Sequence, residues 1–377
     1  NSPLGSLEGT QNHTNASVTN NTFTATNSAY GAAFNLYKAT SNISNSTFAN
    51  NQTTISLVST STNSENAEFM LGGVVMIKNG TTTFTDVDFD GNTISSTGKG
   101  YGALVAGGAI YEDAVINKAD GTKPSALTIK VTRDMEYIGN NVTSATPDVY
   151  YGLYGSASTS AGGFLFLDRA SHTTFDIGEG ATLRIGDENS TGNMDSIATA
   201  VIVDGDATKS SGFIKEGAGT LQINSELSKF YGTIVVNAGT LDVTKDWTSM
   251  NSVDVADGAT LSAGNVTLGK SVTNLTLNGE EYKEGDGKLI VTTGSLVSSG
   301  TVNISGNLTV TNGSVTINGG EPQLISGDTY TYTATVENGS VNLDFVFEVT
   351  DKRILEETYN YAKTYVDDGT VDSLVTA

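Results

Sequence analysis

Short stretches in which apolar and polar residues alternate recur along the chain, each too short for a helix and each preceded by tight-turn residues. In the second half one phrase returns as Gly180-Ala-Thr-Leu183, Gly219-Thr-Leu221, Gly239-Thr-Leu241 and Gly258-Ala-Thr-Leu261. Each leucine opens a strand with one apolar and one polar face, as in Leu221-Gln-Ile223 and Leu241-Asp-Val243. The leucines are 38, 20 and 20 residues apart, the first step reading as nearly two periods. Beyond 261 the pattern continues less regularly as far as Ser314-Val-Thr-Ile317.

The first half carries a different phrase at a related spacing. Phe23 and Phe48 are 25 residues apart, and Phe89 lies 41 beyond, again close to two periods. Glycine pairs precede apolar strands at Gly72-Gly73, Gly107-Gly108 and Gly162-Gly163. Asn50, Asn51 and Asn92 are placed to stack as an inward hydrogen-bonding ladder.

A repeat of about 20–25 residues made of strands and turns predicts an all-β fold, a β-solenoid of about 16 or 17 turns. One turn cannot bury its own inward face, so turns stack at the ~4.8 Å strand spacing and share a core. The expected organisation is a start at 1–8, a β-solenoid over 9–350 and a tail over 351–377. The first six residues read as an engineered junction. The solenoid is expected to be irregular and loop-bearing to about 165 and regular from about 166. In the tail Ile354, Leu355, Tyr359, Ala362, Tyr365 and Val366 fall at helical spacing, which predicts a short helical cap or linker.

Composition narrows the functions. A net charge of −22, with only 19 Lys and Arg, opposes binding to nucleic acid or to anionic lipid. The cysteine count is 0, which removes disulfides, thiolate nucleophiles and cysteine-ligated metals together. No apolar run approaches the ~20 residues of a membrane helix, and no signal-peptide pattern stands at the start. The 43 glycines and 4 prolines suit sharp corners and uninterrupted strand ladders.

The stretch from Gly212-Phe-Ile-Lys-Glu-Gly217 through Phe230-Tyr-Gly-Thr233 to Gly239-Thr-Leu241 resembles the passenger-associated repeat of bacterial autotransporters. Phe48-Ala-Asn-Asn51, Phe89-Asp-Gly-Asn92 and Gly107-Gly108-Ala109-Ile110 resemble the tetrapeptides of polymorphic outer-membrane proteins, which are autotransporters too. The resemblance implies a right-handed parallel β-helix, exported through an outer-membrane barrel and displayed at, or released from, a Gram-negative surface. The absence of cysteine agrees with passage as an extended strand. A membrane barrel is not recognisable in this chain, so membrane association is expected only through a barrel outside it, and the chain is expected to be a passenger alone.

Candidate chemistry is sparse. His13 reads as a loop residue. Ser171, His172 and Asp176 do not make a triad, because neighbours on a strand point to opposite faces. Asp86/Asp88 and Asp204/Asp206 are i, i+2 pairs that a strand places on one face about 6–7 Å apart, a separation suited to inverting glycoside hydrolysis or to Ca²⁺. The plainer expectation for them is solvated turn carboxylates, so neither catalytic residues nor a metal or cofactor are expected. Tyr150, Tyr151 and Tyr154 form the densest aromatic cluster, in a stretch from about Thr132 to Ser160 that interrupts the repeats. They are the candidate ligand-binding residues, since such side chains are favoured in protein and sugar recognition. The expected function is a non-enzymatic adhesin whose partner is a host protein, a glycan or another copy of the chain. The alternative is a carbohydrate-active enzyme, a polysaccharide lyase or hydrolase.

Overall fold

The computed structural model describes residues 6–25, 29–56, 69–97, 104–113, 125–144, 150–151, 156–158, 160–202, 210–225, 229–245, 247–250, 252–256, 258–263 and the strands between Val266 and Asp344. All regular structure in these residues is β, and most strand pairs are parallel. No helix long and apolar enough to cross a membrane occurs among them. The helix expected over 351–377 lies outside the described residues.

One large curled sheet runs through the molecule. Ser6–Thr14 pairs with Phe34–Ser44, and the row continues through Thr81–Thr85, Ala126–Val131, His172–Ile177, Gly212–Glu216 and Thr233–Val236. Ser252–Val255, Lys288–Thr292 and Asn307–Thr311 extend it, every pair being parallel. A second row contains Met135–Tyr137, Thr182–Ile185, Thr220–Ile223, Thr240–Val243 and Thr260–Ala263, and runs on to Ser314–Ile317. From Ala126–Val131 to Asn307–Thr311 each pass of the chain, here a tier, adds one strand to each row, while the first three tiers place Ser17–Thr19, Thr47–Ala49 and Asp88–Asp90 in a separate sheet.

The leucine phrase sets this register. Leu183, Leu221, Leu241 and Leu261 lie opposite one another and are fully buried. Because Leu183 pairs directly with Leu221, the 38-residue step is one enlarged tier and not two. Phe48 likewise stacks directly on Phe89, with ring centroids 5.2 Å apart. Tiers are thus larger in the first half than the sequence period suggested, and the main row holds 10 strands among the described residues rather than 16 or 17 turns.

The pairing also corrects the alignment of the first phrase. Val18, not Phe23, lies opposite Phe48, and Phe23 lies opposite Thr53. The repeating unit is Val18-Thr-Asn-Asn21, Phe48-Ala-Asn-Asn51, Phe89-Asp-Gly-Asn92 and Tyr137-Ile-Gly-Asn140. Its last residues form the ladder. Asn21 Nδ2 donates to Asn51 Oδ1 at 2.9 Å, Asn51 Nδ2 to Asn92 Oδ1 at 2.9 Å, and Asn92 Nδ2 to Asn140 Oδ1 at 3.0 Å. The second amide hydrogen of Asn51, Asn92 and Asn140 goes to the carbonyls of Val18, Phe48 and Phe89. Asn50 takes no part in this row. It is an exposed corner residue at φ 55°, in a column with Asn20 (φ 58°) and Gly91 (φ 60°). Asparagine and glycine recur here because they tolerate the left-handed backbone that a sharp corner requires.

The core is continuous from Ala33 to Leu261, with Phe34, Phe48, Phe84, Phe89, Tyr137, Phe164, Phe175, Phe213 and Phe230 at its centre. A side row, Val75–Lys78, Ile110–Asp113, Leu165–Leu167 and Ile197–Thr199, is buried on both faces. Ile77, Ile110 and Leu165 join the main core, while Met76, Tyr111, Phe166 and Ala198 pack into a second cluster with Leu71, Leu104 and Ala161. Strands covered on both sides read as the unbroken apolar runs that follow each glycine pair.

Candidate binding surface

A three-stranded antiparallel ribbon stands apart from these rows. Tyr150–Tyr151 pairs with Ser156–Ser158, which pairs with Val201–Ile202, and none of the three strands joins another sheet. The ribbon is tethered where Ala161 bridges Ala106, where the Ala200 amide donates to the Leu167 carbonyl, and where Lys229 Nζ donates to the Ser160 carbonyl at 2.9 Å. Tyr150 and Tyr151 therefore share one strand, and Tyr154 lies outside the described residues. The interruption of the repeats begins later than expected, because Met135–Tyr137 and Asn141–Ser144 still pair with neighbouring tiers.

The carboxylates separate into different roles. Asp86 is not on a strand face with Asp88. It occupies a corner at φ 51°, and its carboxylate accepts the amide of Thr132 at 2.7 Å and the hydroxyl at 2.5 Å. The pair that does share a strand is Asp88 and Asp90, flanking the buried Phe89. Burial, and next the charges of Asp88, Asp195 and Glu136, push the Asp90 carboxyl up to about 6, against a hydrogen bond from the Ile138 amide. Asp88 borders an open basin of about 430 Å³ lined also by Arg133, Asp134, Met135, Glu136, Thr182 and Arg184. Arg133 approaches Asp88 at 4.0 Å, and Arg184 is paired with Glu136. No three acidic or histidine side chains gather as a metal-ligand set among the described residues. Asp204 and Asp206 fall outside them.

From this basin a polar row runs along the outer face of the second row of strands. Glu136, Arg184, Gln222, Asp242 and Ser262 are successive register partners. Arg184 Nε donates to Gln222 at 2.8 Å, Gln222 Nε2 to Asp242 at 2.8 Å, and the Ser262 hydroxyl to Asp242 at 2.9 Å. The unlike side chains conceal this row in the sequence. Its only signal is that Arg184, Gln222, Asp242 and Ser262 each stand one residue after a phrase leucine, while Glu136 follows Met135.

The histidines are dispersed. His13 is a half-buried strand residue opposite Ile43, its ring 5.3 Å from that of Phe34, and not a solvated loop residue. His172 is exposed and Ser171 buried, with the Ser171 hydroxyl donating to the Glu112 carbonyl. Asp176 accepts from Lys130 at 2.9 Å. These three side chains do not converge.

Buried charge was not anticipated. Lys78 lies 3.0 Å from Asp113, Arg169 lies 3.5 Å from Asp113 and 3.4 Å from Asp168, and the Tyr111 hydroxyl donates to Asp168 at 2.7 Å. Burial raises the Asp113 carboxyl, Asp168 adds to this, and Lys78 and Arg169 oppose it. Beside this group Glu112 is fully buried and accepts from the Thr173 hydroxyl at 2.8 Å; burial pushes it up to about 7. The available signal was positional, since Lys78, Glu112–Asp113 and Asp168–Arg169 each close an apolar run after a glycine pair. Lys215 is also buried, its ammonium donating to the carbonyls of Glu216 and Gly217 at 2.7 Å and of Ala238 at 3.1 Å. Burial brings it down to about 8.

Comparison with known proteins gives one partial relative. Over 133 residues the chain is 33% identical to Probable autotransporter YfaL of Escherichia coli (strain K12). That stretch is 35% of this chain and only 9% of the relative. No family model matches the chain, and no solved structure does.

Proposed function

We propose that the chain is part of an autotransporter passenger, folded as a right-handed parallel β-helix and displayed or released at a Gram-negative surface. In this reading it is a non-enzymatic adhesin that binds a host protein or glycan, or another copy of itself. The partial similarity to a probable autotransporter supports the passenger assignment, and the tier-on-tier parallel pairing supports the helix. The observation that carries the binding role is the antiparallel ribbon bearing Tyr150 and Tyr151, which pairs with no strand of the stack. Segments held out from a rigid scaffold are the usual seat of recognition.

The test compares bacteria displaying the chain with an isogenic deletion in attachment to host cells and in aggregation. Display should raise one of the two about tenfold, and Tyr150→Ser with Tyr151→Ser should remove most of the gain; an equal phenotype with and without the chain overturns the reading. The second reading, a polysaccharide lyase or hydrolase, is favoured by Asp90, whose carboxyl burial pushes up to about 6 and which shares a strand with Asp88, a residue lining the basin. New reducing ends or unsaturated products from acidic polysaccharides, lost in Asp90→Asn, would replace the adhesin reading with this one.

A further inference from the structure

The basin at Asp88 lies where two sheets part. Asp88–Asp90 pairs with Thr47–Ala49 on one side and, among the described residues, with no strand on the other. Met135–Tyr137 of the next tier pairs with Thr182–Ile185 and not with Asp88–Asp90. Around this gap carboxylates replace main-chain acceptors. Asp90 accepts the Ile138 amide at 3.3 Å, and Asp134 accepts the Thr182 amide at 2.8 Å. The outer side stays open, and side chains from three tiers surround about 430 Å³.

These side chains keep hydrogen-bonding capacity to spare. Arg133 stands 4.0 Å from Asp88, beyond hydrogen-bonding distance, and its side chain is 56% exposed. Asp88 accepts from the Thr47 hydroxyl at a long 3.4 Å. Glu136 engages Arg184 through one carboxylate oxygen, and both side chains remain about half exposed. Carboxylates accept and guanidinium groups donate, whereas a hydroxyl does both. Acceptor and donor side by side therefore match the vicinal hydroxyls of a sugar ring. The lining sets three carboxylates, Asp88, Asp134 and Glu136, against the two arginines. In a chain of net charge −22 this balance repels a polyanion. Met135 is the sole apolar side chain in the lining and is itself buried, so the space offers little to a lipid or an aromatic ligand. From Arg184 the row Gln222, Asp242 and Ser262 leads away over successive tiers, a polar path for a ligand longer than one ring.

We propose that the basin and this row bind a neutral, linear oligosaccharide without cleaving it. Arg133 with Asp88, and Arg184 with Glu136, hold pairs of its hydroxyls. The site is separate from the tyrosine ribbon. Its use at a cell surface rests on the adhesin reading, but the binding itself does not.

The test is a titration of the whole chain, read by NMR, with maltohexaose, cellohexaose and mannohexaose, and with hexagalacturonate as the acidic counterpart. At least one neutral hexasaccharide should give saturating shifts at the Glu136, Thr182 and Arg184 amides, about tenfold tighter than hexagalacturonate. Arg133→Ala removes an exposed side chain and should keep the parent's urea midpoint while weakening binding about fivefold. Arg184→Ala should weaken it about tenfold, and Tyr150→Ser with Tyr151→Ser should leave it unchanged. The proposal is overturned if no neutral hexasaccharide shifts these amides, if hexagalacturonate binds more tightly, or if Arg133→Ala binds like the parent. Cleavage of the bound hexasaccharide overturns it too, in favour of the hydrolase reading. Because the titration reads binding and not attachment, a failed attachment test beside a successful titration removes the adhesin reading alone.

Discussion

Asp195 Oδ1 accepts the backbone amide of Asn140 at 2.8 Å and its side-chain amide at 3.4 Å, so a carboxylate stands where the next asparagine of the ladder would be. Its other oxygen accepts from the Gly139 amide at 3.0 Å and the Ser190 hydroxyl at 2.8 Å. Every hydrogen-bond partner of Asp195 is a donor, so a ladder that passes donors along one direction ends here on an acceptor. Asp195→Asn places an NH₂ against one of these donors. A buried donor left unmatched costs about 1–3 kcal/mol. The variant should unfold at lower urea than the parent with an unchanged slope, whereas Asn189→Ala, at an exposed neighbouring position, should leave the midpoint in place.

The parts of this arrangement differ in how plainly the sequence carries them. Leu221, Leu241 and Leu261 are legible because equal spacing, equal residue type and equal burial coincide. The ladder is half legible. Asn51 and Asn92 share a phrase, but Val18 and Tyr137 replace the phenylalanine, so Asn21 and Asn140 escape a search for identical letters. Asp195 has no local signal, since it lies 55 positions along the chain from Asn140. Enlarged tiers break the period for the same reason. An insertion at a corner changes the spacing without changing which strands pair, so Leu183 and Leu221 remain neighbours across 38 residues.

Glu112 makes stability depend on pH. The ordinary glutamate value of 4.5 holds when the chain is unfolded, and burial lifts the folded value to about 7. Between these values the folded protein keeps a proton that the unfolded chain has lost. The contribution is therefore complete below about 4.5 and falls away as pH rises through 7, by an amount on the order of 3 kcal/mol. Glu112→Gln cannot ionise and keeps an acceptor for the Thr173 hydroxyl. Thermal melts should show the variant close to the parent at pH 4.5 and clearly more stable at pH 8. A parent curve that rises more steeply than the variant between these pH values contradicts this.

Lys215 occupies a core position between Phe175 and Val236 in the register, yet its ammonium reaches the carbonyls of Glu216 and Gly217 where its own strand ends and of Ala238 at the corresponding turn of the next tier. Removing the ammonium leaves the part-buried carbonyls of Glu216, Gly217 and Ala238 without this donor. Lys215→Met, which keeps the stem volume, should cost about 2–4 kcal/mol through that loss. Lys130→Met removes an exposed pair with Asp176 and should cost under about 1 kcal/mol. Chemical denaturation of the two variants side by side separates the two environments.

Gly108 and Gly180 distinguish contact from conformation. A Cβ at Gly108 would lie 2.2 Å from the Gly163 carbonyl oxygen and 2.7 Å from that of Asn141, both backbone atoms of neighbouring strands. Neither can retreat without opening the pairing between tiers, because the Gly108 amide itself donates to the Gly162 carbonyl at 2.8 Å. Gly180 sits at φ 73° with nothing within 4 Å of the same atom, so alanine there meets only backbone strain, about 1–2 kcal/mol. Gly108→Ala should therefore be much the worse of the two, losing soluble folded protein or at least 3 kcal/mol, about the scale of an overpacked core. If Gly180→Ala proves as damaging as Gly108→Ala, backbone conformation and not the approach of successive tiers is what reserves these positions for glycine.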